Sequence, residues 1–297
     1  MSRTYKATGI NLKSMPMGES DRLLTILTRE QGLVRVMAMG ARKHRSSLAG
    51  RSGLFVVNHL LIAQGKSLDK LTQAETIASY PGLSRDLKKL TASQYLAELC
   101  LYQALSEQPQ AELFDQFIQH LDWIERSPPD WVLPYLVYAI FQLLMLDGVA
   151  PEVYRCCVTQ APLLPQLEIP HWQVGFSAPV GGTVTLEAMQ RLAAVPQATA
   201  PRSQEGRGFR GQRWQRSISA MELAILQAIA QLDSHAILTE PDGLGMVQMM
   251  ATLEDWLTVE SLLRQCAQYH FDRPIRSASL IDTCFALAPD SQTFEMF

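Results

Sequence analysis

The densest chemistry in the chain is a run of cations, Gly40-Ala41-Arg42-Lys43-His44-Arg45-Ser46-Ser47-Leu48, reaching on to Arg51. Lys and Arg at this spacing neutralise phosphates, and Ser46 and Ser47 can add hydrogen bonds to phosphate oxygens. Arg22, Arg35 and Lys66 lie in the same N-terminal stretch and complete a candidate polyanion-binding set with Arg42, Lys43, Arg45 and Arg51. Charge is divided unevenly: residues 1–90 hold 15 Lys and Arg against 6 acids, whereas 91–297 hold 11 against 23. A basic module on an acidic body points to a polyanionic ligand, bound with weak sequence preference and steep salt dependence.

Signatures of catalysis are missing. There is no phosphate-cradling G-x-x-x-x-G-K-S/T, no G-x-G-x-x-G after a strand and no G-x-S-x-G elbow. The six histidines are scattered, none at i+3 or i+4 from another, and the carboxylates read as solvated helix faces. The chain is expected to be non-catalytic.

The elements that must position the cations read as strands. Stretches 5–12, 22–28, 33–39, 54–63 and 71–80 are rich in Leu, Val, Ile and Thr, and turn signals bound them: Ser14-Met15-Pro16, Arg29-Glu30-Gln31-Gly32, Gln64-Gly65 and Pro81-Gly82. Arg35 alternates with Val34 and Val36, so it belongs on the opposite face. Five short strands make a five-stranded OB-type β-barrel over 1–82 the simplest fit, although an SH3-like barrel gives a similar string.

After Gly82 the period becomes helical. Thr91-Ala92-Ser93-Gln94 has capping-box form, ahead of Leu96, Leu99, Tyr102 and Leu105; a second helix carries Leu113, Phe114, Phe117, Leu121 and Ile124. The apolar run 131–146 is short for a bilayer span and reads as a buried helix stopping at Gly148 and Pro151, so no membrane is expected. Ser219-Ala220-Met221-Glu222 opens a further helix, and 246–270 is helical, with room for a break. The chain thus reads as α+β and multidomain: barrel 1–82, helical domain 83–152, an insertion 153–195, a basic loop 196–217 and a helical region 218–297 packing on the helical domain. Five cysteines, with Cys156 and Cys157 adjacent, suit a reducing cytosol, and a cytoplasmic location is expected.

Loop 196–217 carries Arg202, Arg207, Arg210, Arg213 and Arg216 with Phe209 and Trp214 interleaved. This is the composition of a nucleic-acid arm, and it makes Arg207, Arg210 and Arg213 auxiliary nucleic-acid contact candidates. A plain solvated loop has the same composition.

Several segments, in order, carry a resemblance. They are Met17-Gly18-Glu19-Ser20-Asp21-Arg22-Leu23-Leu24-Thr25, Thr28-Arg29-Glu30-Gln31-Gly32-Leu33, Ala38-Met39-Gly40-Ala41-Arg42-Lys43, Leu71-Thr72-Gln73-Ala74-Glu75, Tyr95-Leu96-Ala97-Glu98-Leu99, residues 144–151, Cys156, and Tyr269 through Arg273-Pro274-Ile275-Arg276-Ser277. Together they resemble the RecO family of bacterial DNA-repair proteins along nearly the whole chain. The resemblance implies an N-terminal OB domain and a helical body. It also implies binding of single- and double-stranded DNA, annealing of complementary strands, and action with RecR to load RecA onto DNA coated by SSB.

The family commonly holds a four-cysteine zinc site, C-x-x-C followed later by G-G-x-x-C-x-x-C. Here Cys156 is followed by Thr159 at the paired position, and Gly181-Gly182 by Thr185 and Ala188. With three of four thiolates missing, and Cys157 and His171 irregularly placed, the insertion reads as a degenerate zinc ribbon. No zinc and no other cofactor is expected, and apolar packing around Leu163, Leu164, Trp172 and Phe176 should hold the segment.

Over 91–196 only Arg126, Arg155 and Arg191 stand against 11 acids, so the body is expected to repel DNA and serve partners. An acidic, apolar SSB tail would need an apolar groove with one of these three arginines at its edge. The competing reading is a helical interaction adaptor whose basic barrel binds RNA or an acidic protein.

Overall fold

In the computed structural model, residues 4–194, 214–232 and 242–286 are described. Strand β1 (Thr4–Met17) is long because it serves two partners. Its first half pairs with β4 (Val56–Ala63) and its second half with β2 (Asp21–Thr28), with an irregularity between Asn11 and Lys13 where the strand changes neighbours. Strand β3 (Gly32–Ala38) pairs with β2, and β5 (Asp69–Ser79) joins β3 in parallel and β4 antiparallel. The order β1-β2-β3-β5-β4 therefore closes on itself. Leu24, Ile26, Val36, Leu60, Ile62 and Leu71 alternate inward and fill the closed sheet. Five strands followed by a helical body fit an OB-like N-terminal domain.

The structure corrects the strand reading in two places. Ser14-Met15-Pro16 does not stop β1, which runs on to Met17; Pro16, opposite Arg22, falls near the end of the pairing, where losing one N–H costs little. Leu54 and Phe55 precede β4 and are not part of it.

The helices are α1 (Leu87–Gln103), α2 (Ala111–Arg126), α3 (Val132–Leu146), α4 (Leu186–Ala194), α5 (Ala220–Gln231), α6 (Asp242–Met250), α7 (Leu253–Phe271) and α8 (Ser279–Ala286). Helix α1 starts earlier than its sequence suggests. Asp86 is the cap, accepting from the N–H groups of Lys88 and Lys89, so Thr91 and Ser93 lie inside the helix and are buried. The Ser219–Glu222 box does cap α5. The break in 246–270 falls at Thr252, which forms its own box with Asp255. Residues 129–146 are apolar and long enough to cross a membrane, yet 67% of that window is buried inside the protein.

A three-stranded sheet, β7-β6-β8, joins the insertion to the body, with β6 (Gln173–Ser177) between β7 (Gly182–Val184) and β8 (Gln215–Ser219). The end of the region read as a loop is thus a strand, and Trp214 packs its ring 5.6 Å from that of Tyr269. Leu163 and Phe176 are buried as expected, but Leu164 is 70% exposed.

Barrel and body share one apolar cluster, with Ile10, Leu27 and Phe55 meeting Phe117 and its neighbours. The β2–β3 turn is tied down as well. Leu33 N–H donates to Leu105 O at 2.9 Å, Gln110 N–H to Arg29 O at 3.0 Å, and Arg29 pairs with Asp115 at 2.7 Å. Gly32 sits at φ +64°, where a Cβ would come 2.0 Å from Leu105 O, so only glycine fits this turn.

Candidate nucleic-acid interface

The basic loop is built from its anchors outward. Ala41 and Leu48 insert into the barrel core, and between them the chain makes successive turns, Lys43 N–H to Gly40 O at 3.0 Å and Ser46 N–H to Lys43 O at 3.1 Å, with Arg45 at φ +71°. Asp21 holds the loop's start: its Oδ1 accepts from Gly40 N–H at 2.7 Å and from Ser20 Oγ at 2.9 Å, and these bonds lower its pKa. At the far end, Arg51 O accepts from the buried amides of Asn11 and Asn58, at 2.8 and 3.0 Å.

This scaffold presents Arg42, Lys43, His44 and Arg45 to solvent. The Arg42 guanidinium reaches Gly18 O at 3.0 Å on the β1–β2 turn, and among the described residues no ion pair engages Arg42, Lys43 or Arg45. Ser47, Leu48 and Arg51 continue along the barrel into a groove of about 730 Å³, where they meet Lys6, His59 and Thr72 with Glu30 and Glu75 at the edges. Lys66 is exposed on the β4–β5 turn.

The other candidates lie elsewhere. Arg35 is on the outer face of β3, opposite to Val36 as its alternation requires. The register aligns Lys13, Thr25 and Arg35 in one row across β1, β2 and β3, beside exposed Met15. Arg22 is not free: half-buried, it donates to Ser14 Oγ at 3.1 Å and to Ser52 O at 3.3 Å, bracing the barrel mouth. Arg207, Arg210 and Arg213 fall outside the described residues.

Sequence reasoning overlooked Lys6 and Lys13. Reading β1 through to Met17 would have found Lys13, since period-2 alternation from buried Leu12 turns it outward. It also overlooked Arg273 and Arg276. Glu98 fixes that segment, accepting from Arg276 N–H at 3.0 Å, Ser277 N–H at 2.8 Å and Ser277 Oγ at 2.6 Å. The result is a cleft of about 580 Å³ between barrel and body, with Lys13, Arg273 and Arg276 around Met15, Leu54 and Leu101.

Two sequence families match this chain: residues 1–80 match Recombination protein O N terminal and residues 84–199 match Recombination protein O C terminal. The chain belongs to the RecO family. A DNA repair protein RecO of Acaryochloris marina is 54% identical over 98% of both chains. One from a Cyanothece species is 53% identical over 96% of this chain and 98% of its own, and one from a Nostoc species is 49% identical over 98% and 99%. Membership in the RecO family supports a role in DNA repair and recombination.

The residues at the RecO zinc positions do not fit a metal. Thr159 and Thr185 carry neutral hydroxyls, Ala188 carries no donor atom, and the Thr185 hydroxyl already accepts from Ala188 N–H at 3.2 Å. Among the described residues no group of three or more His, Cys, Asp and Glu could hold an ion.

Proposed function

We propose that this protein is a non-catalytic recombination mediator that binds single- and double-stranded DNA through its OB-type barrel and anneals complementary strands. The ordered, solvent-facing cluster Arg42–Lys43–Arg45 carries this reading. Cations held at fixed spacing contact phosphates and release counterions, and neutralising two strands at once lowers their mutual repulsion without ATP. Lys6, Arg51 and Lys66 extend the contact surface, and Lys13 and Arg35 offer a second row on another face.

The barrel's rings support a grip on backbone and not on bases. Phe55 and Tyr80 are buried, and Tyr5 donates its hydroxyl to Asp69 at 2.7 Å. A strand held by its phosphates keeps its bases free to pair, which annealing requires.

In this reading RecR is the protein partner and RecA is loaded on SSB-coated strands. The acidic, apolar SSB tail fits the cleft where Lys13, Arg273 and Arg276 surround an apolar floor. The protein needs no zinc and acts in the cytoplasm.

The test is annealing of SSB-coated complementary strands, with and without RecR, by the Arg42→Ala/Lys43→Ala/Arg45→Ala variant. Loss of most annealing is expected. Undiminished annealing with an unchanged salt slope would remove the loop from the site.

A further inference from the structure

The four positions where the family's cysteines would stand are already bonded to one another. Thr159 N–H donates to Cys156 Sγ at 3.4 Å, and Ala188 N–H donates to Thr185 Oγ1 at 3.2 Å. Both are i to i+3 bonds from a backbone N–H back to a side-chain acceptor. They define two turns of the same design, one with sulfur and one with oxygen. The turns are joined directly, because Thr185 N–H also donates to Cys156 Sγ, at 3.3 Å. One buried sulfur thus accepts from both halves.

The surrounding backbone locks the turns face to face. Cys156 N–H donates to Ala161 O at 2.8 Å, and Cys157 N–H donates to Thr183 O at 2.8 Å. Thr183 Oγ1 reaches Glu152 O at 3.1 Å and Arg155 O at 3.0 Å. Gly182, at φ +147°, lies so close to Glu152 that a Cβ would come 2.2 Å from its carbonyl oxygen. Cys156 and Ala188 are both buried. Zinc thiolates place each sulfur about 2.3 Å from the metal, so a tetrahedral site needs four side chains starting from backbones this close together.

We infer that residues 150–194 form two facing turns closed around a single sulfur, which fold without zinc yet keep a backbone on which three cysteines would make a zinc site. In place of metal–thiolate bonds, Cys156 Sγ links the two turns by accepting from Thr185 N–H, and Thr185 Oγ1 closes its own turn. Ala188 fills the volume of the fourth ligand with a methyl group.

The test uses the full chain. Wild-type protein, purified with zinc present and then washed with chelator, should hold only trace zinc, and its melting temperature should not move on adding chelator. The Thr159→Cys/Thr185→Cys/Ala188→Cys variant should take up one equivalent of zinc, show the visible absorption of tetrahedral thiolate-bound Co(II), and melt lower when chelator is added. One equivalent of chelator-resistant zinc in the wild type overturns the inference. So does a rebuilt chain that folds by circular dichroism yet binds no metal, or that fails to fold both with and without zinc.

Discussion

His120 lies inside the helical core, 2% exposed, with its ring 5.4 Å from that of Trp123 and 6.0 Å from that of Tyr138. Neither ring nitrogen has a hydrogen-bond partner among the described residues, and burial pulls its pKa down to about 3 from 6.5. An unfolded chain therefore takes a proton here below pH 6.5, whereas the folded chain refuses one until about pH 3. The stability contributed at neutral pH is present in full above 6.5 and lost as pH falls toward 3. At about 1.4 kcal/mol per pH unit, the loss between pH 8 and pH 5 is about 2 kcal/mol. The His120→Phe substitution keeps a flat ring of similar size and removes the titration. The assay is urea unfolding of both proteins at pH 8 and pH 5, followed by helix circular dichroism. The stability difference between the His120→Phe variant and wild type should shift by about 2 kcal/mol in favour of the variant on going to pH 5. Parallel losses in the two proteins would refute the reasoning, since every other titrating group is common to both.

Replacing Arg42, Lys43 and Arg45 together by Ala should lower the single-strand salt slope by about 2, at about 0.7 per phosphate contact, read from titrations at several salt concentrations. Arg264 is half-buried between Glu260 at 2.6 Å and Asp282 at 3.2 Å, and burial holds the Glu260 pKa up at about 7, so Arg264→Ala leaves a buried carboxyl that protonates without its partner and should cost about 1–3 kcal/mol in denaturant unfolding. Gly32→Ala forces a side chain into Leu105 O at a positive φ, and should cost at least about 1 kcal/mol and raise protease sensitivity at the β2–β3 turn. Arg273→Ala/Arg276→Ala removes two charged donors from the cleft and should weaken binding of an SSB-tail peptide at least about tenfold in fluorescence anisotropy, with single-strand binding little changed.

The strands and helices were legible wherever the apolar period was clean, as in the β2–β3 hairpin, in α3 and in the Ser219 cap of α5. Misreadings arose where tertiary context overrode a local signal. Pro16 looks like a stop because the local pattern cannot show that this end of β1 pairs with β2 alone, where a missing N–H is tolerated. Thr91 looks like a cap because Asp86, five residues earlier, sits behind a short turn at Leu83–Arg85. The loop cations are visible as a cluster in the chain, but Arg22's internal bonds depend on Ser14 and Ser52, which no local pattern links to it. Arg273 and Arg276 are hidden for a similar reason: their place opposite Lys13 depends on Glu98, which is 178 residues from Arg276.

The barrel's own core cluster lies wholly between residues 24 and 74, whereas α1, after packing on α2 and α3, still waits for Ser277 and for α7 and α8 to complete its contacts. On a ribosome the N-terminal module can therefore close while most of the chain is still unmade. The helical body then stays incompletely covered until the last fifth of translation, and that interval is when the nascent chain most needs chaperones. A premature stop before α7 should leave a closed barrel joined to a sticky body whose α3 lacks its α7 cover.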